Sequence, residues 1–317
     1  MFQFKLPVNE NVVIANRDSF WKKLIQMKKD GGRFLQLISD FDYTLSTFYK
    51  EGTERNPSCH GVLEHCSLFP DSYHKATEEL QREYYPIEID PKLDPEVKAE
   101  KMKEWWSKAH DLLIKMHVKQ SDIVKAVKES DIRIRDDSVE LINLCRKNQV
   151  PFLLFSAGIS DVLAEVMRQK CHIPIGKEYA VEIVSNKMVF DENGVVVGFE
   201  GDCINSTNKN MYRRSYVNRQ RSRDNIILIG DNIGDIHMSD GVAFQNQISI
   251  GLLNDKVEER MESYKKTFDV VICNDSDLSF VVELVKYIVE EDDYSALKEE
   301  EGEEIGEDYI VVPPSLG

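Results

Sequence analysis

The sequence predicts an α/β protein, a mostly parallel sheet with a helical unit inserted between its first two strands. Three observations predict it. An apolar run of β-type residues, Leu35-Gln36-Leu37-Ile38-Ser39, ends abruptly in two carboxylates, Asp40 and Asp42, with Thr44 two residues further on. Two later runs, Val150 to Phe155 and Asn225 to Gly230, end in Ser156-Ala157-Gly158 and in Asp231-Asn232-Ile233-Gly234-Asp235. Between the first run and the second lies a long stretch, from Pro57 to about Ser130, with helical periodicity and no strand-like alternation. Ligands of parallel sheets gather outside the carboxyl ends of the strands, so these polar strand ends are expected to face a common site.

Taken in order, residues Val8 to Lys29 read as a helix whose apolar face runs through Val12, Val13, Phe20, Leu24 and Met27; Gly31-Gly32 stops it and the first strand follows. Ser72 to Tyr85, Asp94 to Met116 and Ser121 to Glu129 read as the helices of the insertion, a cap over the active-site end of the sheet. The core resumes with a helix from Asp136 to Asn148, the buried strand Val150 to Phe155 and a helix from Ser160 to Lys170. Short strands around Ala180 to Ser185, Lys187 to Asp191 and Val195 to Glu200 extend the sheet as a meander, with a turn at Glu192-Asn193-Gly194. Lys209 opens a polar helix with Arg213 and Arg214. After the strand Asn225 to Gly230 come a helix from Ile236 to Asp240, a strand from Ile248 to Gly251 and a last helix from Asp277 to Glu290. The expected boundaries are therefore a core of 1–48 and 131–290, a cap of 49–130 and a tail of 291–317 without a fixed fold.

With 317 residues the chain is long enough for this plan. Its charge is uneven. Eleven acidic residues against one lysine between Glu290 and Asp308 account for −10 of a net −16, leaving the body at about −6. A mildly acidic body does not wrap duplex nucleic acid, but it permits a pocket that grips one phosphate. Six scattered cysteines and no secretory leader point to a reduced, cytoplasmic protein. Leu278 to Val289 is too short for a bilayer and carries Glu283 and Lys286, so no membrane partner is expected.

Asp-x-Asp-x-Thr at a strand end suits phosphoryl transfer: one carboxylate attacks phosphorus, the other handles protons, and both help hold a divalent cation. Read alone, it is also a strand-end turn rich in aspartate. Ser156 and the following amides present donors to an anion, or form a helix N-cap. Asp231 and Asp235, flanked by Gly230 and Gly234, meet the demand of a Mg²⁺ site opposite Asp40. Cys59-His60 and His65-Cys66 lack the spacing of a common zinc finger. Arg213, Arg214, Arg219, Arg221 and Arg223 read as a solvated face, and the tail segment Asp308-Tyr309-Ile310-Val311-Val312-Pro313-Pro314 as an unstructured end or a protein-docking motif.

The order Asp40/Asp42/Thr44, Ser156, Lys209, Asp231/Asp235 resembles the haloacid-dehalogenase-like phosphatase superfamily, which implies a Rossmann-like core. Within it Ile38 to Ser46, Tyr84-Tyr85-Pro86-Ile87-Glu88-Ile89-Asp90, Glu104-Trp105-Trp106-Ser107-Lys108-Ala109-His110, Phe155 to Ile159 and Gly230 to Asp235 are similar to cytosolic 5′-nucleotidase III, the pyrimidine 5′-nucleotidase family, over roughly Val8 to Val289. The resemblance implies that Asp40 is the nucleophile and Asp42 the general acid/base. It implies Mg²⁺ on Asp40, Asp231 and the Asp42 carbonyl, phosphate on Ser156, the Ala157 amide and Lys209, and supporting roles for Thr44 and Asp235, the latter orienting Lys209. Tyr43 departs from the family's usual Met. Trp105-Trp106 and Ala109 resemble the branch that hydrolyses 7-methylguanosine monophosphate, whereas the pyrimidine branch shows Tyr and Ser at the positions of Trp106 and Ala109. Guanine methylated at N7 is cationic; an indole face attracts it and Glu88 complements its charge. Adjacent aromatics on one helix cannot face the same way, so one of Trp105 and Trp106 is expected to stack and the other to be core; Trp106 is taken as the stacker. The expected activity is Mg²⁺-dependent hydrolysis of 7-methylguanosine 5′-monophosphate, and of CMP, to nucleoside and phosphate through an aspartyl phosphate, the nucleoside monophosphate being taken by a monomer. The rivals are a pyrimidine-preferring nucleotidase or nucleoside phosphotransferase, and a non-catalytic binding protein acting through its tail.

Overall fold

Short runs of Leu, Ile and Val, too apolar for any surface, form the centre of the fold. The computed structural model describes residues 5–7, 9–90, 92–209, 223–290 and 309–311. The chain begins with β1 (Lys5–Pro7), β2 (Val12–Ile14) and α1 (Arg17–Asp30) before the first central strand, β3 (Leu35–Ser39). The single helix expected over Val8 to Lys29 is thus corrected. Val12-Val13-Ile14 is β-branched and pairs as an edge strand, and the helix starts only where the Asn16 side chain accepts the Ser19 N–H at 3.0 Å.

After β3 come a small hairpin, β4 (Tyr49–Glu51) and β5 (Glu54–Arg55), and four helices, α2 (Cys59–Glu64), α3 (Asp71–Ile89), α4 (Pro95–Lys115) and α5 (Gln120–Glu129). Then follow α6 (Ser138–Lys147), β6 (Phe152–Ile159), α7 (Ser160–Gln169) and β7 (Val181–Asn186). The strand expected to stop at Phe155 runs on to Ile159, although its pairing with β7 is irregular between Phe155 and Ile159. β8 (Met188–Phe190) and β9 (Val196–Phe199) do not extend the main sheet; they pair with each other, and Phe199 stacks on His110 of α4 at 3.7 Å between ring centroids. The chain closes with β10 (Asn225–Gly230), a 3₁₀ helix over Ile233–Ser239 in place of the α-helix expected at Ile236 to Asp240, β11 (Asn246–Leu253), α8 (Val257–Thr267), β12 (Val270–Cys273) and α9 (Ser279–Val289). Finally β13 (Tyr309–Val311) pairs antiparallel with β1, so this part of the tail has a strand partner where no fixed fold was expected. The helix expected after Lys209, the arginines at 213, 214, 219 and 221, and the acidic run of 291–308 lie outside the described residues.

The main sheet has the order β2-β12-β11-β10-β3-β6-β7, parallel throughout except for the edge strand β2. Alternate residues of its central strands feed two cores. Leu35, Leu37, Ile227 and Ile229 meet Phe20, Leu24, Leu141, Val162 and Phe280 on one face, while Ile38, Ile226 and Leu228 meet Tyr264 and Phe268 of the opposite layer. β3 lies between β10 and β6, which sets the residues after these three strands side by side.

Candidate active site

The Asp40 N–H donates to the Ile229 carbonyl at 3.0 Å, continuing the ladder one residue past β3 and holding its carboxylate against the end of β10. Lys209 Nζ donates to Asp40 Oδ1 at 2.6 Å and to Asp235 Oδ1 at 2.8 Å, and all three side chains are buried. Burial alone would discharge the lysine, but Asp235 and Asp40 outweigh it and keep the ammonium charged. Asp235 is fixed in turn by the Asn232 N–H on its Oδ2 at 3.0 Å. Gly230 is required here, since a Cβ would fall 2.4 Å from the Cβ of Asp235.

Asp40, Asp231 and Asp235 bring carboxylate oxygens within 4.8 Å of one another. Burial pushes the carboxyl groups of both Asp40 and Asp231 up, mutual repulsion adds to it, and Lys209 offsets only part. Three acids against one lysine in a dry site suit a hard cation with oxygen ligands.

Asp42 points elsewhere. Its Oδ1 accepts the Cys59 N–H at 2.8 Å, at the start of α2, whose N-cap is Ser58. Burial lifts its carboxyl to about 6 against the pull of the Cys59 amide and thiol, a value suited to giving and taking protons near neutrality. Between the two aspartates' loop and Thr44, Tyr43 adopts φ 63°. Its carbonyl is gripped by Arg135 Nη2 at 2.9 Å and Asn254 Nδ2 at 2.8 Å, which stabilises a conformation that non-glycine residues rarely take. Thr44 Oγ1 is buried with no hydrogen-bond partner among the described residues.

Ser156 is buried, and its Oγ accepts the Gly158 N–H at 2.9 Å. The Ala157 carbonyl accepts from Asn186 Nδ2 at 2.8 Å and from Trp106 Nε1 at 3.0 Å, a bond that ties α4 to the end of β6. Trp105, expected in the core, is half-buried because it lies on the outer side of α4, where it stacks on Tyr84 of α3 with centroids 5.9 Å apart and planes 14° apart. Glu88, near the end of α3, is half-buried, and burial raises its carboxyl despite Ser206, Arg55, Lys98 and Lys209 nearby. Ala109 is half-buried on α4, three residues beyond Trp106.

A family model described as pyrimidine 5′-nucleotidase (UMPH-1) matches residues 43–289. The chain belongs to the pyrimidine 5′-nucleotidase family. It is 38% identical over 290 residues to the 7-methylguanosine phosphate-specific 5′-nucleotidase A of Xenopus laevis, covering 90% of this chain and 98% of that one. It is 40% identical over 268 residues to the 7-methylguanosine phosphate-specific 5′-nucleotidase of Homo sapiens, covering 83% and 87%. A crystal structure of cytosolic 5′-nucleotidase IIIB bound to cytidine superposes with a TM-score of 0.77 at 30% identity, over 88% of this chain and 94% of that one. A probable phosphoserine phosphatase from Vibrio cholerae shares the fold at a TM-score of 0.51 and 10% identity, over 80% and 65%. The core of this 5′-nucleotidase is therefore of the haloacid-dehalogenase type.

Several residues that shape the nucleotidase site carry no signal in the sequence. Arg135, fully buried, holds the carbonyls of Tyr43, Thr44 and Ser46 and pairs with Asp275 at 2.9 Å. Asn186 ties Ala157 and Gly158 to Ile204. Tyr264 donates its hydroxyl to the Asp231 carbonyl at 2.5 Å. None belongs to a recognisable motif, and only long-range folding brings each to the site. Cys59, read as half of an unpromising zinc pair, lies instead against Asp42.

Proposed function

We propose that the chain hydrolyses nucleoside 5′-monophosphates, 7-methylguanosine 5′-monophosphate foremost, to the nucleoside and inorganic phosphate. In this reading Asp40 attacks phosphorus and forms an aspartyl phosphate while Asp42 gives its proton to the departing 5′ oxygen. Asp42 then takes a proton from the water that attacks the aspartyl phosphate, which frees Asp40 and returns Asp42 to its starting state. Lys209, Ser156 and the Ala157 amide hold the phosphate oxygens, and Asp235 steadies Lys209. Asp40, Asp231 and the Asp42 carbonyl are the residues that would hold Mg²⁺, which when bound neutralises charge on the phosphate.

The observation that carries the base preference is the Trp106 to Ala157 hydrogen bond, which sets an indole beside the phosphate-binding strand end. A cation stacked on an indole gains on the order of 0.5 to 2 kcal/mol, and Glu88 adds a complementary charge; neither effect helps plain guanine as much. The relatives named for 7-methylguanosine phosphate support the same choice. A second reading, CMP and other pyrimidine nucleotides, is favoured by the cytidine in the similar solved structure. The division into core and cap, with 49–130 choosing the substrate, belongs to this proposal, as does a location in the cytoplasm; no helix among the described residues is long and apolar enough to cross a membrane.

The test is phosphate release by wild type and Asp40→Asn from 7-methyl-GMP, GMP, CMP and UMP, with Mg²⁺ and with chelator. Metal-dependent release from 7-methyl-GMP well above GMP, lost in the variant, is the expected result. Better turnover of CMP moves the protein to the pyrimidine reading, and no release from any nucleotide overturns both.

A further inference from the structure

Arg55, the last residue of β5, lays its guanidinium 3.8 Å from the ring centroid of Phe48 and 4.4 Å from that of Tyr43. The two rings meet edge to face at 5.3 Å, so they form a corner that a flat cation fills. Its Nη1 also donates to the hydroxyl of Tyr85 at 3.3 Å. These contacts join three parts of the chain. Tyr43 belongs to the loop of Asp40 and Asp42, and its backbone is clamped by Arg135 and Asn254. Phe48 leads into the β4–β5 hairpin, and its N–H is held by Asp275 at 2.8 Å. Tyr85 lies on α3, three residues before Glu88 and on the same face of the helix. The charge of Arg55 also faces Glu88 and Asp231.

We propose that Arg55 is a positioning residue for substrate choice: it latches α3, and with it Glu88, to the catalytic loop. The inference rests on the nucleotidase reading above and adds to it the link between the base side and the phosphate side. α3 needs such a link because Pro86 removes one backbone donor in the turn that precedes Glu88. Lysine cannot replace the arginine, since a point ammonium cannot cover two rings and donate in plane to a hydroxyl at once. A phosphomonoester without a base makes no use of Glu88, so the latch matters chiefly to nucleotides.

The experiment compares kcat and KM for 7-methyl-GMP, CMP and p-nitrophenyl phosphate in wild type, Arg55→Lys, Arg55→Leu, Tyr43→Leu and the Arg55→Leu/Tyr43→Leu double variant, alongside calorimetric binding of 7-methylguanosine. In Arg55→Leu the ratio of kcat/KM for 7-methyl-GMP to that for p-nitrophenyl phosphate is expected to fall about tenfold, mostly through KM, and the nucleoside to bind more weakly to match. Arg55→Lys recovers little of it. Tyr43→Leu lowers the same ratio, and the double variant lowers it no further, because both changes break one contact. An unchanged ratio, equal losses on all substrates, or strictly additive losses would each overturn the latch. A wild type active on p-nitrophenyl phosphate but on no nucleotide overturns the nucleotidase reading itself, and the latch with it.

Discussion

At the scale of single residues the site is organised by charge held out of water. Lys209 answers two of the three clustered aspartates, and Asp42 is kept apart from them by the amide of Cys59. The geometry leaves little slack. Gly158 has no room for a Cβ, which would fall 2.8 Å from that of Cys59, and Gly230 has less. Gly230→Ala is therefore expected to displace Asp235 from Lys209 and to lower kcat by roughly one to two orders of magnitude, a misplacement of about 1 Å being enough for this. Steady-state kinetics at saturating substrate check it; an unchanged kcat would show that Asp235 is not needed where it stands. The carboxylates were legible because they follow apolar strands, and Lys209 was singled out only through the resemblance. Arg135 and Asn186 were not, since a buried brace is defined by what it touches and not by its own neighbours in sequence.

At the scale of elements, α2 is only six residues long, yet it presents its first amide to Asp42. So short a helix depends on its cap. Ser58 Oγ accepts the Gly61 N–H at 3.2 Å, and Ser58→Ala is expected to cost about 1 kcal/mol, read as a lower urea midpoint at unchanged slope. A midpoint equal to wild type would mean that tertiary contacts hold α2 without its cap. The helices α3, α4 and α5 were readable from periodicity and lie within a few residues of where the pattern puts them; β3 and β10, though short, were readable as apolar runs that end in carboxylates. Other elements escaped. β4, β5, α2 and β12 are short and lack such an ending, α8 has a largely charged sequence with a weak apolar stripe, and β2 was absorbed into the helix after it because Val12 and Val13 fit either pattern.

At the scale of the whole molecule, the inserted helices α2 and α4 meet β9 through a stack of rings, and the histidines in it make stability depend on pH. His60 and His110 stack with planes 12° apart, and His110 lies on Phe199. Burial lowers their pKa from 6.5 to about 4 and about 3. Above pH 6.5 both are neutral whether folded or not, and they contribute nothing; as pH falls below it the unfolded chain binds protons that the folded imidazoles refuse, and stability drops until about pH 4 for His60 and about pH 3 for His110. Glu64 and Asp42, raised to about 7 and about 6, act in the opposite sense, because they bind protons first in the folded state. The comparison is therefore between wild type and His60→Gln/His110→Gln, by urea unfolding at pH 7.5 and 5. The advantage of wild type is expected to shrink on acidification, with a limiting slope of about 1.4 kcal/mol per pH unit for each imidazole. A constant difference would show that the imidazoles take up protons in place. By itself the sequence determined the central strands β3, β6 and β10, their polar ends and the helical character of the insertion, because burial and periodicity are local demands that each segment answers alone. Only the tertiary structure decided that Trp106 and not Trp105 reaches the end of β6, that Arg55 joins the catalytic loop to α3, and that β13 returns to β1. Such contacts join residues that the order of the chain keeps apart, and their energy exists only once the backbone has brought them together.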